Sequence, residues 1–177
     1  MKILTALRQA AEWHVDQRRK GAAREPYVNH LIEVADLVAS AGASEDVICA
    51  AVLHDAIEDQ DVTAETIAAM FGADVAAMVL EVTDDKSLPK PERKARQVAV
   101  VPLLSPGARL IRLADKISNV RSIASSPPVG WPPARLVEYL EFCCRVVAGL
   151  RGIDPVLEKT FDDEVGTARA RTSGARA

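Results

Sequence analysis

Along almost the whole of this 177-residue chain, apolar side chains recur at the three- and four-residue spacing of a helix. No segment alternates apolar and polar residues long enough to make a strand. Such a chain can bury its apolar stripes only by packing helix against helix, so the class is all-α. At 49% hydrophobic residues the chain carries enough apolar surface for one core without disulfides or a structural metal. Its 22 basic and 25 acidic side chains leave a net charge of −3, the wrong sign for a general nucleic-acid or membrane-surface binder. No stretch approaches the roughly 20 apolar residues of a membrane span, and Arg8 and Glu12 interrupt any signal-peptide core, so a cytoplasmic address is expected. Cys49, Cys143 and Cys144 have no metal or redox spacing and read as small helix hydrophobes.

Local signals divide the pattern into helices. The first is expected over about Ile3 to Arg19, with Gly21 to Pro26 as the loop that ends it. A second, Asn29 to Ser40, stops at Ala41-Gly42, and Ser44 caps a third, Glu45 to Glu58, apolar nearly all round. Thr63 caps a short helix ending at Phe71-Gly72, another runs from Asp74 to Val82, and Thr83 to Lys90 reads as a loop. Then come a helix over Glu92 to Val101, one opened by Ser105-Pro106, one from Trp131-Pro132-Pro133 to Leu150, and one from Asp154-Pro155 to near Phe161. This makes residues 1–165 one domain and residues 166–177, rich in Ala, Arg, Thr and Gly, a disordered tail.

Within this frame a few polar residues stand where helices should be apolar. Asp55 follows His54 in the most apolar helix, where an unpaired carboxylate is costly unless a cation neutralises it. Glu58 and Asp59 lie four residues after His54 and Asp55 and should stack with them on one helix face. His30 lies 12 residues before Gly42 and His54 12 after it, so an antiparallel hairpin brings the imidazoles level. Asp115 is another carboxylate in an apolar helix. His30, His54, Asp55 and Asp115 together form a mixed nitrogen and oxygen set suited to an octahedral ion such as manganese or iron rather than a closed zinc site. Each also has an ordinary reading: His30 as a surface residue at a helix start, His54 as a satisfied core histidine, Asp115 as the partner of Lys116 or Arg112. His14 is left outside the set.

The strings Gln17-Arg18-Arg19-Lys20, Pro26-Tyr27-Val28-Asn29-His30, His54-Asp55-Ala56-Ile57-Glu58-Asp59, Glu81 to Lys90 and Ala114-Asp115-Lys116-Ile117-Ser118-Asn119, in that order, resemble the HD-domain alarmone hydrolases. These include the hydrolase domain of SpoT and Rel proteins and stand-alone hydrolases such as the metazoan SpoT homologue. The resemblance spans about Leu4 to Phe161 and leaves no room for a synthetase domain. It implies an all-α HD-domain bundle holding one Mn2+ ion on His30, His54, Asp55 and Asp115. The implied reaction removes the 3′-pyrophosphate of guanosine tetra- or pentaphosphate.

In that pattern Glu58 and Asp59 are the catalytic carboxylates, Glu58 orienting or deprotonating water or protonating the leaving oxygen, and Asp59 alternatively holding ligands in place. Arg19 and Lys20 match positions that stack on or flank the guanine, and the Arg18-Arg19-Lys20 run attracts an anionic substrate. Asn119 matches a ribose or phosphate contact, and Ser122 stands where many long members have threonine. Lys86, Lys90, Arg93 and Lys94 could extend an anion-binding rim but are read as loop solvation. A small-molecule nucleotide is therefore the expected partner, with no nucleic acid and no membrane. Two other readings use the same residues: an HD-type phosphohydrolase of another nucleotide, for example a 2′-phosphatase of NADPH, or a nucleotide-binding module without turnover. The presence of both Glu58 and Asp59 speaks against the last.

Overall fold

The computed structural model describes residues 1–174, and among them all regular structure is helical. The order is α1 (Lys2–Trp13), α2 (Val28–Ser40), α3 (Glu45–Leu53), α4 (Ala56–Asp59), α5 (Ala64–Phe71), α6 (Ala73–Val82), α7 (Lys90–Val100), a 3₁₀ turn (Val101–Leu103), α8 (Pro106–Ser125), α9 (Pro133–Ala148) and α10 (Pro155–Gly174). The start signals act locally as expected. The side-chain oxygens of Ser44, Thr63 and Ser105 accept from the backbone N–H groups of Val47, Thr66 and Ala108, and Pro106 occupies the first position of α8. Gly42 turns the α2–α3 hairpin at φ +74°, a conformation that costs other residues a Cβ clash.

Helix α3 is the hub. Cys49, Ala50, Ala51, Val52 and Leu53 are all fully buried, and α1, α2, α6 and α8 pack around them. Helix α8 adds Ile111, Leu113, Ile117 and Val120, each without exposed surface. Burying such a side chain contributes about 1.5 to 3 kcal/mol. The same helix carries Arg112, Asp115, Lys116 and Ser118 into the interior, so a polar seam runs through the bundle.

Three expected boundaries are wrong, each through long-range contacts. Helix α1 ends at Trp13 rather than Arg19: residues 14–27 fold into a short hairpin in which the Arg19 N–H donates to the Glu25 carbonyl and the Tyr27 N–H to that of Gln17. The expected helix from Glu45 to Glu58 is broken at His54-Asp55, where Asp55 leaves helical geometry (φ −101°, ψ 0°) and α4 restarts for one turn. Finally, the expected disordered tail from Gly166 is helical as far as Gly174, and residues 175–177 lie outside the described part. Its polar composition hides a stripe of helical spacing, Leu157, Phe161, Val165, Ala168 and Thr172, all buried, that packs along α8. Among the described residues no helix is long and apolar enough to cross a membrane.

Candidate functional site

The hairpin around Gly42 sets His30 of α2 beside His54 at the end of α3, with ring centroids 5.2 Å apart. Asp115 reaches them from the middle of α8, its Oδ1 3.4 Å from His30 Nε2 and 3.9 Å from His54 Nε2. The break after α3 swings Asp55 inward, so that its Oδ2 stands 3.2 Å from His54 Nε2 and 3.8 Å from His30 Nε2. All four residues expected to bind metal therefore converge, and both imidazoles are only 3% exposed. Burial overturns the reading of His30 as a surface residue.

The protonation pattern shows what the cluster lacks. His54 Nδ1 lies 2.7 Å from the Ala51 carbonyl oxygen, which can only accept, so Nδ1 carries the proton of the neutral ring. Its Nε2 is then a bare lone pair, buried and without a hydrogen-bond partner among the described residues, facing two carboxylates. Opposed lone pairs in a buried pocket require a cation between them. The Lys116 ammonium answers Asp115 Oδ2 but does not reach His54 Nε2, so short of a metal ion only a proton can lie between that nitrogen and the carboxylates. Burial opposes charging His54, but the Asp55 and Asp115 carboxylates outweigh it and hold its pKa up at about 9. For Asp55, burial works against ionisation, yet the nearby His54 and His30 hold the carboxyl well below its ordinary range. Donor atoms of His30, His54 and Asp115 lie within 4.8 Å of one another, with Asp55 Oδ2 beside both imidazoles, a mixed nitrogen and oxygen set that fits a divalent ion.

A second ring of groups steers the first. Tyr27 Oη donates to Asp55 Oδ2 (2.6 Å), Lys116 Nζ to Asp115 Oδ2 (2.9 Å) and Asn119 Nδ2 to Asp115 Oδ1 (2.5 Å). Asp115 thus pairs with Lys116, as its ordinary reading held, and joins the cluster as well. His14, buried, stacks on Tyr27 and contacts Gln17.

Glu58 and Asp59 share α4 at the edge of this cluster. Glu58 Oε2 accepts from the Asp84 N–H (3.1 Å). Burial first, then the charges of Asp55, Asp84 and Asp59, push its carboxyl up to about 7. Asp59 differs, because both its oxygens are engaged, Oδ2 by Gln17 Nε2 (2.8 Å) and Oδ1 by Lys86 Nζ (2.6 Å). The reading of Lys86 as loop solvation is corrected: its ammonium ties the 83–89 loop to α4 and also donates to the Glu58 carbonyl (2.5 Å).

Beside the cluster lies a cavity of about 680 Å³, within the range of small-molecule sites, with His30 and Asp59 in its wall. Arg19, Lys20, Asn119 and Ser122, the four residues expected to bind substrate, all line it. Arg19 Nη2 donates to Asn119 Oδ1 (3.3 Å) and to the Ser122 hydroxyl, and the guanidinium lies 5.8 Å from the Tyr27 ring centroid. Helix α10 contributes Glu164, Thr167 and Arg171 to the wall. Sequence reasoning gave no role to Tyr27, Glu33, Arg121 or Glu164. The available signal was spacing: Tyr27 and Glu33 each lie three residues from His30.

The HD domain model matches residues 6–135. The guanosine-3′,5′-bis(diphosphate) 3′-pyrophosphohydrolase MESH1 of Mus musculus is 44% identical over 162 residues, covering 90% of each chain. That of Drosophila melanogaster is 42% identical, covering 92% of each. Among solved structures, that of a metazoan orthologue of SpoT that hydrolyses ppGpp superposes with a TM-score of 0.89 at 41% identity, covering 92% of this chain and 93% of the other. With a family model matched over most of its length and relatives matched nearly end to end, the chain belongs to the HD-domain family and is related to the SpoT and Rel hydrolase domains.

Proposed function

We propose that the protein hydrolyses the 3′-pyrophosphate of guanosine tetra- or pentaphosphate, giving GDP or GTP and pyrophosphate. The observation that carries this reading is the buried convergence of His30, His54, Asp55 and Asp115, with the unpartnered His54 Nε2, beside a cavity lined by Arg19 and Lys20. It is supported by stand-alone relatives that bear the name of this activity. His30, His54, Asp55 and Asp115 would hold one divalent ion with positions left open to water, which the resemblance to the alarmone hydrolases makes Mn2+. Such an ion supplies Lewis-acid polarisation of a phosphate oxygen and a lowered pKa for water.

The chain's own side chains do the rest. The reaction consumes one water: its oxygen bonds to the phosphorus that carries O3′, the P–O3′ bond breaks, and O3′ leaves with the bonding pair and gains a proton. Glu58, with a carboxyl held near 7, is suited to move that proton at neutral pH through Oε1, which has no hydrogen bond among the described residues. Asp59 holds Gln17 and Lys86, and so fixes the cavity wall and the aim of α4. Arg19 presents a planar cation, braced by Asn119 and Ser122, for the guanine or a phosphate, and Lys20 adds charge to the rim. The same proposal sets the reaction in the cytoplasm, with the nucleotide as the chain's partner.

The test is a nucleotide panel with purified protein, with Mn2+ and with a chelator, assayed separately for pyrophosphate and orthophosphate. Guanosine tetraphosphate is expected to release pyrophosphate and GDP only with the metal. Absence of pyrophosphate, or orthophosphate from NADPH as the sole product, overturns the assignment.

A further inference from the structure

His30 Nδ1 lies 2.8 Å from the hydroxyl of Ser118, which is 1% exposed. That hydroxyl in turn lies 2.5 Å from Glu33 Oε2. An ionised carboxylate can only accept, so the Ser118 proton must go to Glu33. The hydroxyl oxygen then accepts, and His30 Nδ1 must carry the ring proton. This leaves His30 Nε2 as the bare lone pair that faces Asp55 and Asp115.

The chain of contacts continues outward. Glu33 Oε1 accepts from Arg121 Nη1 (3.0 Å), and Arg121 Nε donates to Glu164 Oε1 (2.7 Å) on α10. Arg121 lines the cavity, but these two carboxylates already neutralise it, so it serves Glu33 rather than an incoming phosphate.

We infer that Ser118 and Glu33 are positioning residues that lock His30 into its Nδ1–H tautomer and aim Nε2 at the metal site, and that Arg121 and Glu164 anchor this relay to the last helix. The inference rests on the reading of His30 as a metal ligand. Groups that orient a ligating histidine in this way typically carry a 10- to 100-fold share of metal affinity.

The experiment titrates Mn2+ into wild-type, Ser118→Ala, Glu33→Gln and Glu164→Gln proteins, and records ¹⁵N-histidine spectra of the metal-free forms. The spectra need resolve only three rings, His14, His30 and His54. Wild type is expected to bind the ion and to show a single Nδ1–H tautomer for His30. Ser118→Ala is expected to bind about 10- to 100-fold more weakly, with the tautomers of His30 mixed. In Glu33→Gln the amide can donate to Ser118 and reverse the hydroxyl, so the His30 tautomer is expected to invert. Glu164→Gln is expected to shift affinity a few-fold at most. A merely structural role would lower the melting temperature and leave the tautomer of the folded protein unchanged. Folded Ser118→Ala and Glu33→Gln variants with wild-type affinity and tautomer overturn the inference. If Ser118→Ala does not fold, the inversion in Glu33→Gln decides alone. A wild-type protein that binds no Mn2+ defeats the metal reading itself, a result distinguishable from failure of the relay.

Discussion

Replacing Glu58 by Gln is expected to make the metal-free protein more stable while abolishing turnover. Glu58 is partly buried on α4, with Asp55, Asp59 and Asp84 around it, and its carboxyl titrates at about 7 instead of 4.5. Each unit of such a rise costs the folded state about 1.4 kcal/mol once the group ionises, roughly 3 kcal/mol in full. Partial exposure screens this to about 2 kcal/mol. The sign follows from linkage. Below pH 4.5 both folded and unfolded forms are protonated and nothing is lost. Between 4.5 and 7 the unfolded chain alone releases the proton, and stability falls. Above 7 the loss is complete. Glutamine keeps an oxygen for the Asp84 N–H and carries no charge, so it escapes the loss. Thermal unfolding with chelator present should show Glu58→Gln gaining about 4 to 8 °C over wild type at pH 8 and almost nothing at pH 4.5. A gain equal at both pH values, or none at pH 8, would refute the assignment of an electrostatic cost to this carboxylate. Retained pyrophosphate release would refute its proton-moving role.

Other perturbations probe different parts of the molecule. Asp115→Ala leaves the Lys116 ammonium buried without its carboxylate and should cost about 3 to 5 kcal/mol in the metal-free protein, as well as the ability to retain Mn2+ through gel filtration. A normal melting temperature in that variant would contradict this. Phe161→Ala empties the contact between α10 and the core, where Phe161 is 1% exposed, and should cost about 3 to 5 kcal/mol in urea unfolding. Truncation after Val165 removes buried Ala168 and Thr172 and the Arg171 bond to the Ala124 carbonyl. It should lower the melting temperature by about 2 to 6 °C, whereas an unchanged value would restore the view of this segment as an unstructured tail.

What could be read from the sequence was set by nearest neighbours. Ser44, Thr63 and Ser105-Pro106 start helices because a hydroxyl two or three residues upstream satisfies a free N–H, whatever the rest of the fold does. The approach of His30 and His54 followed from one tight turn between two helices of similar length. The failures share the opposite cause. Helical spacing continues past Trp13 and past Leu53, yet the chain leaves the helix at both places because distant partners offset the lost bonds. Arg19 reaches Asn119 and Ser122, about a hundred positions away, and Asp55 turns in toward His30 and Asp115. Composition misled at α10, where charged and small residues alternate with a correctly spaced buried stripe. Glu33 and Glu164 drew no role from the sequence because the partners that define them, Ser118 and Arg121, lie 43 to 88 positions away.

The interruption at His54-Asp55 divides responsibilities between two parts of the chain. Helix α4 is one turn long, too short to hold itself in water, so its direction is dictated from outside by the Asp84 amide and the Lys86 ammonium. The two histidines and Asp115 proposed to hold the ion belong to a buried frame, while the acid proposed to move protons is tied to a surface connector. Substitutions in that connector could therefore retune the reaction while leaving the anchoring histidines untouched, which gives the scaffold an inexpensive route to new chemistry.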